Sequence, residues 1–128
     1  MPAYNFKKEF ADQVESGSKT QTIRKKRKRP TVVGDKIFLY TGMRTKECRP
    51  LGEGEVFAVD EFTLFNHMKY RIGNEVCVAV YPENGMRLAQ DDGFETWEEF
   101  VTFFDSTYGL PFEGEIIHWT PRKKENND

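Results

Sequence analysis

The sequence predicts a single α+β domain, with a small, mostly antiparallel β-sheet that is open or closed into a barrel and has helices at its flanks. The chain of 128 residues has the length of one domain. Several short segments rich in β-branched and aromatic residues are separated by turn residues. Two amphipathic helix patterns lie far apart in the chain and do not alternate regularly with the strands. We expect the domain to span residues 1–120, followed by a flexible charged tail at residues 121–128.

The first helix is predicted near the N-terminus by three apolar residues at four-residue spacing, Phe6, Phe10 and Val14. Gly17 occupies the position where helices commonly end. The next segments, TQTIR (residues 20–24) and KIFLY (residues 36–40), are predicted strands because they are rich in β-formers. A run of basic residues separates them, and a Val-Gly-Asp turn at residues 33–35 precedes the second strand.

The middle of the chain predicts two more strands, EVFAV (residues 55–59) and VCVAVY (residues 76–81). The polar, glycine-rich segment Gly42–Glu55 is predicted to be a long connection. Residues 62–74 do not distinguish strand from loop, and both are compatible with their composition.

The last third of the chain contains the clearest helix signal. Thr96 is followed three residues later by Glu99, which is the pattern of a capping box. An apolar stripe then predicts one buried helix face and ends at Gly109; its members are Trp97, Phe100, Val101, Phe104 and Tyr108. A final strand, GEIIHWT (residues 114–120), precedes the tail.

Several protein classes are disfavoured by composition. The N-terminus lacks the apolar run of a signal peptide, and no stretch approaches the roughly 18 apolar residues of a membrane span. The two cysteines, Cys48 and Cys77, form no metal-ligand pattern, and we expect free thiols, with Cys77 buried. The sequence therefore predicts a cytoplasmic protein without metal or cofactor.

Charge is unevenly distributed along the chain. The net charge is −2, yet the segment Lys19–Arg29 carries seven Lys/Arg and no acid, while Asp91–Asp105 carries six Asp/Glu and no base. An acidic protein can therefore have one strongly positive face that attracts phosphate.

The segment G-S-K-T-Q-T-I-R (residues 17–24), followed by Val-Gly-Asp before a strand, resembles the ASCH domain family. The preceding helix, the Asp-Gly-Phe element at residues 92–94 and the Thr-capped helix are also similar to that family. The resemblance covers roughly Phe6–Trp119 and implies a PUA-like β-barrel. It also implies RNA binding or chemistry on RNA or nucleosides.

Some members of the family are amidohydrolases that act on N4-acetylated cytidine. The resemblance implies that Lys19, Thr22 and Asp92, or its neighbour Asp91, would carry this activity here. Thr22 would supply an oxygen nucleophile or position a water, Lys19 would act as base or stabilise the oxyanion, and Asp92 would transfer a proton. The acid is one methylene shorter than the family's glutamate. In a regular strand positions 19 and 22 face opposite sides, so convergence requires Lys19 to remain in the turn after Gly17.

The predicted ligand is RNA or a modified nucleoside in a basic cleft lined by Lys19, Thr22, Arg24 and Tyr40. Arg24 would clamp a phosphate or stack on a base, and Tyr40 would stack a base. The other predicted ligand-binding residues are Lys25, Lys26, Arg27, Arg44 and Lys46.

The sequence also leaves three alternatives to simple ligand binding. The first is the amidohydrolase. The second is a metal-free ribonuclease, in which Tyr40 or Lys46 assists 2′-OH attack and Arg44 holds the phosphate. The third is a protein-interaction module with an acidic helix face formed by Glu95, Glu98, Glu99 and Asp105.

Overall fold

The computed structural model describes residues 2–79 and 82–122, and side chains except those of residues 82–84. Within this part, seven strands and three helices follow one another as β1 Ala3–Phe6, α1 Lys8–Ser16, β2 Gln21–Arg24, β3 Lys36–Thr41, β4 Arg49–Leu64, β5 Lys69–Ile72, β6 Glu75–Val78, α2 Pro82–Asp91, α3 Trp97–Tyr108 and β7 Phe112–Arg122.

All seven strands belong to one mixed sheet that curls into a half-barrel. The long strand β4 pairs with β3 along its first half, with β5 along its last residues, and with β7 along most of its length. β7 continues the sheet to β2, and β3 continues it to β1. Only the β1–β3 pairing is parallel among these strands, so the α+β class and the mostly antiparallel sheet are confirmed.

The curvature of the sheet has two local causes. Phe57 interrupts the register of β4 against β7, and a bulge of this kind bends a strand. Gly54 lets β4 approach Trp119, because a Cβ at this position would stand 2.5 Å from Trp119 Cδ1. Gly54 therefore serves packing between strands.

Two hydrophobic clusters fill the half-barrel. The first packs α3 against the end of the sheet around Phe62, Phe100 and Phe104. The second packs α1 against β1, β3, β4 and β7 around Phe6 and Trp119. Phe94 contacts both clusters, so the segment between α2 and α3 lies at their junction.

The N-terminal prediction is confirmed with one correction. Helix α1 begins at Lys8, and Gly17 ends it with a left-handed φ of 85°. Phe6 belongs to β1, which the sequence analysis did not predict, because a four-residue strand flanking a helix shares its apolar residues with the helix pattern.

The central predictions need larger corrections. The residues from Arg49 to Glu55 form the first part of β4, so the predicted connection is too long by that segment. Residues 62–74 are strand, loop and strand again. Helix α2 was not predicted. Cys77 is half-buried against the first cluster, Cys48 is exposed, and both are free thiols.

The C-terminal predictions are largely confirmed. The Thr96 hydroxyl accepts a hydrogen bond from the Glu99 N–H at 3.1 Å, and the helix it caps ends before Gly109. Four members of the stripe are buried, whereas Tyr108 is 42% exposed. Strand β7 includes Pro121 and Arg122, so the first two residues of the predicted tail are strand. The rest of the tail and Val80–Tyr81 of the predicted strand VCVAVY lie outside the described residues.

Candidate functional site

A cavity of about 160 Å³ opens where the two hydrophobic clusters meet. Its walls are mainly aromatic and come from both clusters, including Phe6, Phe10, Phe94, Phe103, Phe104 and Tyr108. Seven polar side chains also line it: Asn5, Lys7, Lys19, Thr22, Arg24, Asp92 and Thr107. An apolar enclosure with a few converging polar groups is the usual form of a small-molecule site.

Lys19 and Thr22 reach the same cavity because they belong to different local structures. Lys19 precedes β2, and its N–H donates to Gln13 O at 2.9 Å, which holds it in the turn after α1. Thr22 lies within β2, opposite Ile117 of β7. The turn position that convergence requires is thus present.

Lys19 and Asp92 form a buried ion pair. Lys19 Nζ lies 3.1 Å from Asp92 Oδ1, and the two side chains are only 4% and 7% exposed. The same ammonium donates to the backbone carbonyl of Asp92 at 2.5 Å. Since this carbonyl follows the last turn of α2, Lys19 also places a cation where a helix end favours one.

The end of α2 is shaped to present Asp92. Asp92 N–H donates to Leu88 O, and Gly93 then turns the chain with a left-handed φ of 97°. Phe94 N–H donates back to Ala89 O at 2.9 Å, which closes the helix end. Asp91 is exposed and has Arg87 beside it at 3.9 Å, so Asp92 is the acid in the cavity.

Burial changes the proton affinity of both partners. It lowers the pKa of Lys19, although the nearby Asp92 carboxylate partly opposes this. It raises the pKa of Asp92 against the opposing influence of Lys19, of the Gln21 amide and of Arg24. Both shifts favour the neutral forms, so a proton passes between the two groups at a smaller cost than in water.

Gln21 adds an unusual feature next to this pair. Its side chain is 6% exposed, and its Nε2 has no hydrogen-bond partner of good geometry among the described residues. Its proximity to the Asp92 carboxyl nonetheless lowers the pKa of that acid. A buried donor of this kind is available to the Asp92 carboxylate.

Arg24 holds Thr22 and the adjacent edge of the sheet. Its Nε donates to Thr22 Oγ1 at 2.8 Å, and its Nη2 donates to Asn5 O at 2.6 Å. The guanidinium carbon lies 5.4 Å and 5.0 Å from the ring centres of Tyr4 and Phe6. Burial lowers the pKa of Arg24, but an arginine stays protonated across the physiological range. A fixed cation on the Thr22 oxygen stabilises negative charge that develops there.

The basic segment begins at the cavity and continues over β1. Lys25 and Lys26 are exposed, and Lys25 Nζ lies 5.3 Å from the centre of the Tyr108 ring. Arg27 donates to Ala3 O, and its guanidinium lies 4.1 Å from the Tyr4 ring centre. Arg24 and Arg27 therefore bridge β2 and the residues after it to β1 through side chains.

Tyr40, Arg44 and Lys46 lie elsewhere. Tyr40 is on the face of β3 opposite the buried Leu39 and Thr41, and it does not line the cavity described above. Arg44 has a left-handed φ of 67° and is exposed, as is Lys46, in the loop after β3. The predicted cleft thus contains Lys19, Thr22 and Arg24, while Tyr40 stands apart from them.

The aromatic wall does not follow from the sequence patterns. The helix stripe predicts that Tyr108 packs in the core, whereas Tyr108 lines the cavity together with Phe94 and Phe103. Tyr108 lies in the last turn of α3, where the apolar residues of a helix are often only partly buried. This position is the sequence signal for a role of Tyr108 outside the core. Asn5 was also missed, because strand β1 was not predicted.

Comparison with protein-family models, curated proteins and solved structures found no match to this chain. Within residues 2–79 and 82–122, no group of three or more His, Cys, Asp or Glu side chains is arranged to hold a metal ion. None of the helices in this part has both the length and the apolar character required to cross a membrane.

Proposed function

We propose that the chain is an ASCH-like domain of PUA-like fold that binds the base of a modified pyrimidine nucleoside and hydrolyses its acyl amide, as in N4-acetylcytidine. One observation carries this proposal: a buried Lys19–Asp92 pair faces the same enclosed cavity as the Thr22 hydroxyl. Ionisable groups with shifted pKa values in a cleft are characteristic of catalytic sites.

The size and walls of the cavity support a small planar ligand. Its volume of about 160 Å³ lies below the roughly 300–1,000 Å³ of sites for drug-sized molecules. Aromatic walls favour a flat ring, and Lys19, Thr22 and Asp92 supply polar groups to the same cavity.

The residues supply each role that amide hydrolysis needs. In this proposal the Thr22 oxygen attacks the acetyl carbonyl carbon, and the neutral amine of Lys19 accepts the hydroxyl proton. The C–N bond then breaks, and Asp92, protonated beforehand by transfer from Lys19, gives that proton to the departing amine. Water then hydrolyses the threonine ester, which releases acetate and restores the Thr22 hydroxyl and the Lys19–Asp92 ion pair. The shorter acid is compatible with this scheme, because Asp92 already reaches Lys19 at 3.1 Å.

A second candidate function is RNA binding by the basic segment. It is favoured by Lys25 and Lys26, which are exposed at the side of the cavity. Phosphate attraction by such a segment does not depend on the sequence of the RNA and weakens steeply with salt. Binding without hydrolysis would make this the function of the domain.

The test is incubation of the purified protein with N4-acetylcytidine, following loss of the acetyl group. We expect turnover by the parent and a loss of about 10²-fold or more in Thr22→Val and in Asp92→Asn. Asp91→Asn is the matched control, because the neighbouring acid is exposed, and it should retain parental activity. No turnover at high protein concentration, or full activity of Thr22→Val, would refute the proposal.

A further inference from the structure

A second, more open cavity adjoins the first and shares Tyr108 with it. Its volume is about 560 Å³, and Lys25 and Lys26 contribute to its wall together with the turn after α3 and the start of β7. Tyr108 lines both cavities, so this ring is common to their walls.

The cations of the second cavity lack acidic partners in the described part of the chain. The ion pairs among the described residues use other bases, such as Lys36 with Glu53 and Arg49 with Glu15. None of these ion pairs involves a residue of the run Lys25–Arg29. The protein has 21 acids and a net charge of −2, so uncompensated lysines are not a consequence of a shortage of carboxylates. Exposed cations next to an enclosed site attract a ligand that carries negative charge.

One acid shares the cavity with these lysines. Glu113 lines the same space and is exposed. Its negative charge repels an anion in this cavity. Removing that charge should therefore strengthen phosphate binding, whereas removing the lysine charges should weaken it.

We propose that the second cavity is a phosphate subsite, in which Lys25 and Lys26 bind the phosphate of a nucleotide whose base occupies the first cavity. The inference rests on the proposed function, since it assumes a nucleobase beside Thr22. The phosphate belongs either to a free mononucleotide or to an RNA strand, and both present the same chemistry to the two lysines. Tyr108 would then lie along the sugar that joins base and phosphate.

The experiment compares kcat/KM for N4-acetylcytidine, its 5′-monophosphate and a short oligoribonucleotide that contains one N4-acetylcytidine. We expect the parent to prefer a phosphorylated substrate over the nucleoside by about tenfold at low ionic strength, because charge-assisted hydrogen bonds add to its binding. The preference should disappear in Lys25→Gln/Lys26→Gln and increase in Glu113→Gln. Whichever phosphorylated substrate is used better identifies the source, mononucleotide or strand.

Lys69→Gln is the matched control. Lys69 Nζ lies 5.3 Å from the centre of the Phe65 ring, the same separation as between Lys25 and Tyr108, but this lysine lines neither cavity. Its substitution should leave the phosphate preference intact. Equal use of nucleoside and nucleotide by the parent, or a preference that survives the double substitution, would overturn the subsite.

Binding measurements separate failure of the subsite from failure of the proposed hydrolysis. Calorimetry compares cytidine with cytidine 5′-monophosphate on the parent and on Lys25→Gln/Lys26→Gln. Tighter, lysine-dependent binding of the monophosphate without any turnover would retain the subsite and discard the hydrolysis. Turnover without phosphate preference would do the reverse.

Discussion

Lys19 and Asp92 form a buried ion pair whose net contribution to stability is small. Both charges lose water on burial, and their mutual attraction only partly offsets that loss, as the directions of their pKa shifts indicate. Such a pair is therefore weak evidence of a structural purpose. Lys19 Nζ also donates to the backbone carbonyl of Asp92 at the end of α2, and this second hydrogen bond fixes the pair in one geometry.

The first residue-scale prediction concerns stability. Lys19→Met leaves the Asp92 carboxyl buried without its cation, and Asp92→Asn leaves the Lys19 ammonium buried without its anion. We expect each substitution to lower the free energy of unfolding by up to about 3–5 kcal/mol. The loss is smaller where the remaining buried group becomes neutral and so avoids an unpaired charge. The double variant should lose less than the sum of the two, with a coupling of about 1–3 kcal/mol in denaturant unfolding at pH 7. Additive losses would contradict this account.

The second residue-scale prediction concerns pH. Burial lowers the pKa of Lys19 below the ordinary 10.5, so its neutral form becomes populated at a lower pH than in a free lysine. Because the scheme also needs a proton on Asp92, the hydrolysis rate should rise with pH to a maximum below the usual lysine range and fall once that proton is lost. An NMR titration of the Lys19 side chain provides an independent measurement. A titration at the ordinary lysine pKa would remove Lys19 from the role of base.

At the scale of elements, two chain segments and one side-chain bridge position the site. The turn after α1 carries Lys19, the end of α2 carries Asp92, and the side chain of Arg24 joins β2 to β1. Each places one polar group at the junction of the two hydrophobic clusters. The end of α2 tolerates the least change, because Gly93 combines a left-handed backbone with close packing.

Gly93→Ala tests this element. Its φ of 97° disfavours a side chain, and a Cβ would stand 2.8 Å from Phe10 Cδ1. We expect a destabilisation of about 1–2 kcal/mol from the backbone alone, with a further loss from the contact, and weaker turnover because Asp92 is displaced. Gly73→Ala is the matched control: its φ is 59°, and nothing lies within 4 Å of the added Cβ. Equal melting temperatures for the two variants would show that the Phe10 contact is unimportant.

At the scale of the whole molecule, periodic patterns predicted what depends on local chemistry. The Thr96 cap, the end of α1 at Gly17 and the alternation of Ile37 and Leu39 are each encoded within a few residues, and each is confirmed. The class, α+β with a mostly antiparallel sheet, followed from these elements.

Features that depend on distant partners were not predictable in this way. The polar segment from Arg49 to Glu55 is a strand because β3 pairs along it and β7 joins from Glu53 onward, which its own composition does not reveal. Arg24 lines the cavity and Tyr40 does not, for a similar reason: the position of each residue depends on how the sheet curls. The pairing of Lys19 with Asp92 spans 73 positions, and only the ASCH resemblance had placed the two together.

The boundary between β1 and β2 is held by side chains rather than by a backbone ladder. Arg24 and Arg27 cross it as donors to β1 carbonyls, and Tyr4 and Thr31 meet there through their hydroxyls. Each of these strands pairs through its backbone with a different neighbour, β1 with β3 and β2 with β7. Substitution of one of these side chains therefore weakens the boundary without removing any hydrogen bond of the ladders.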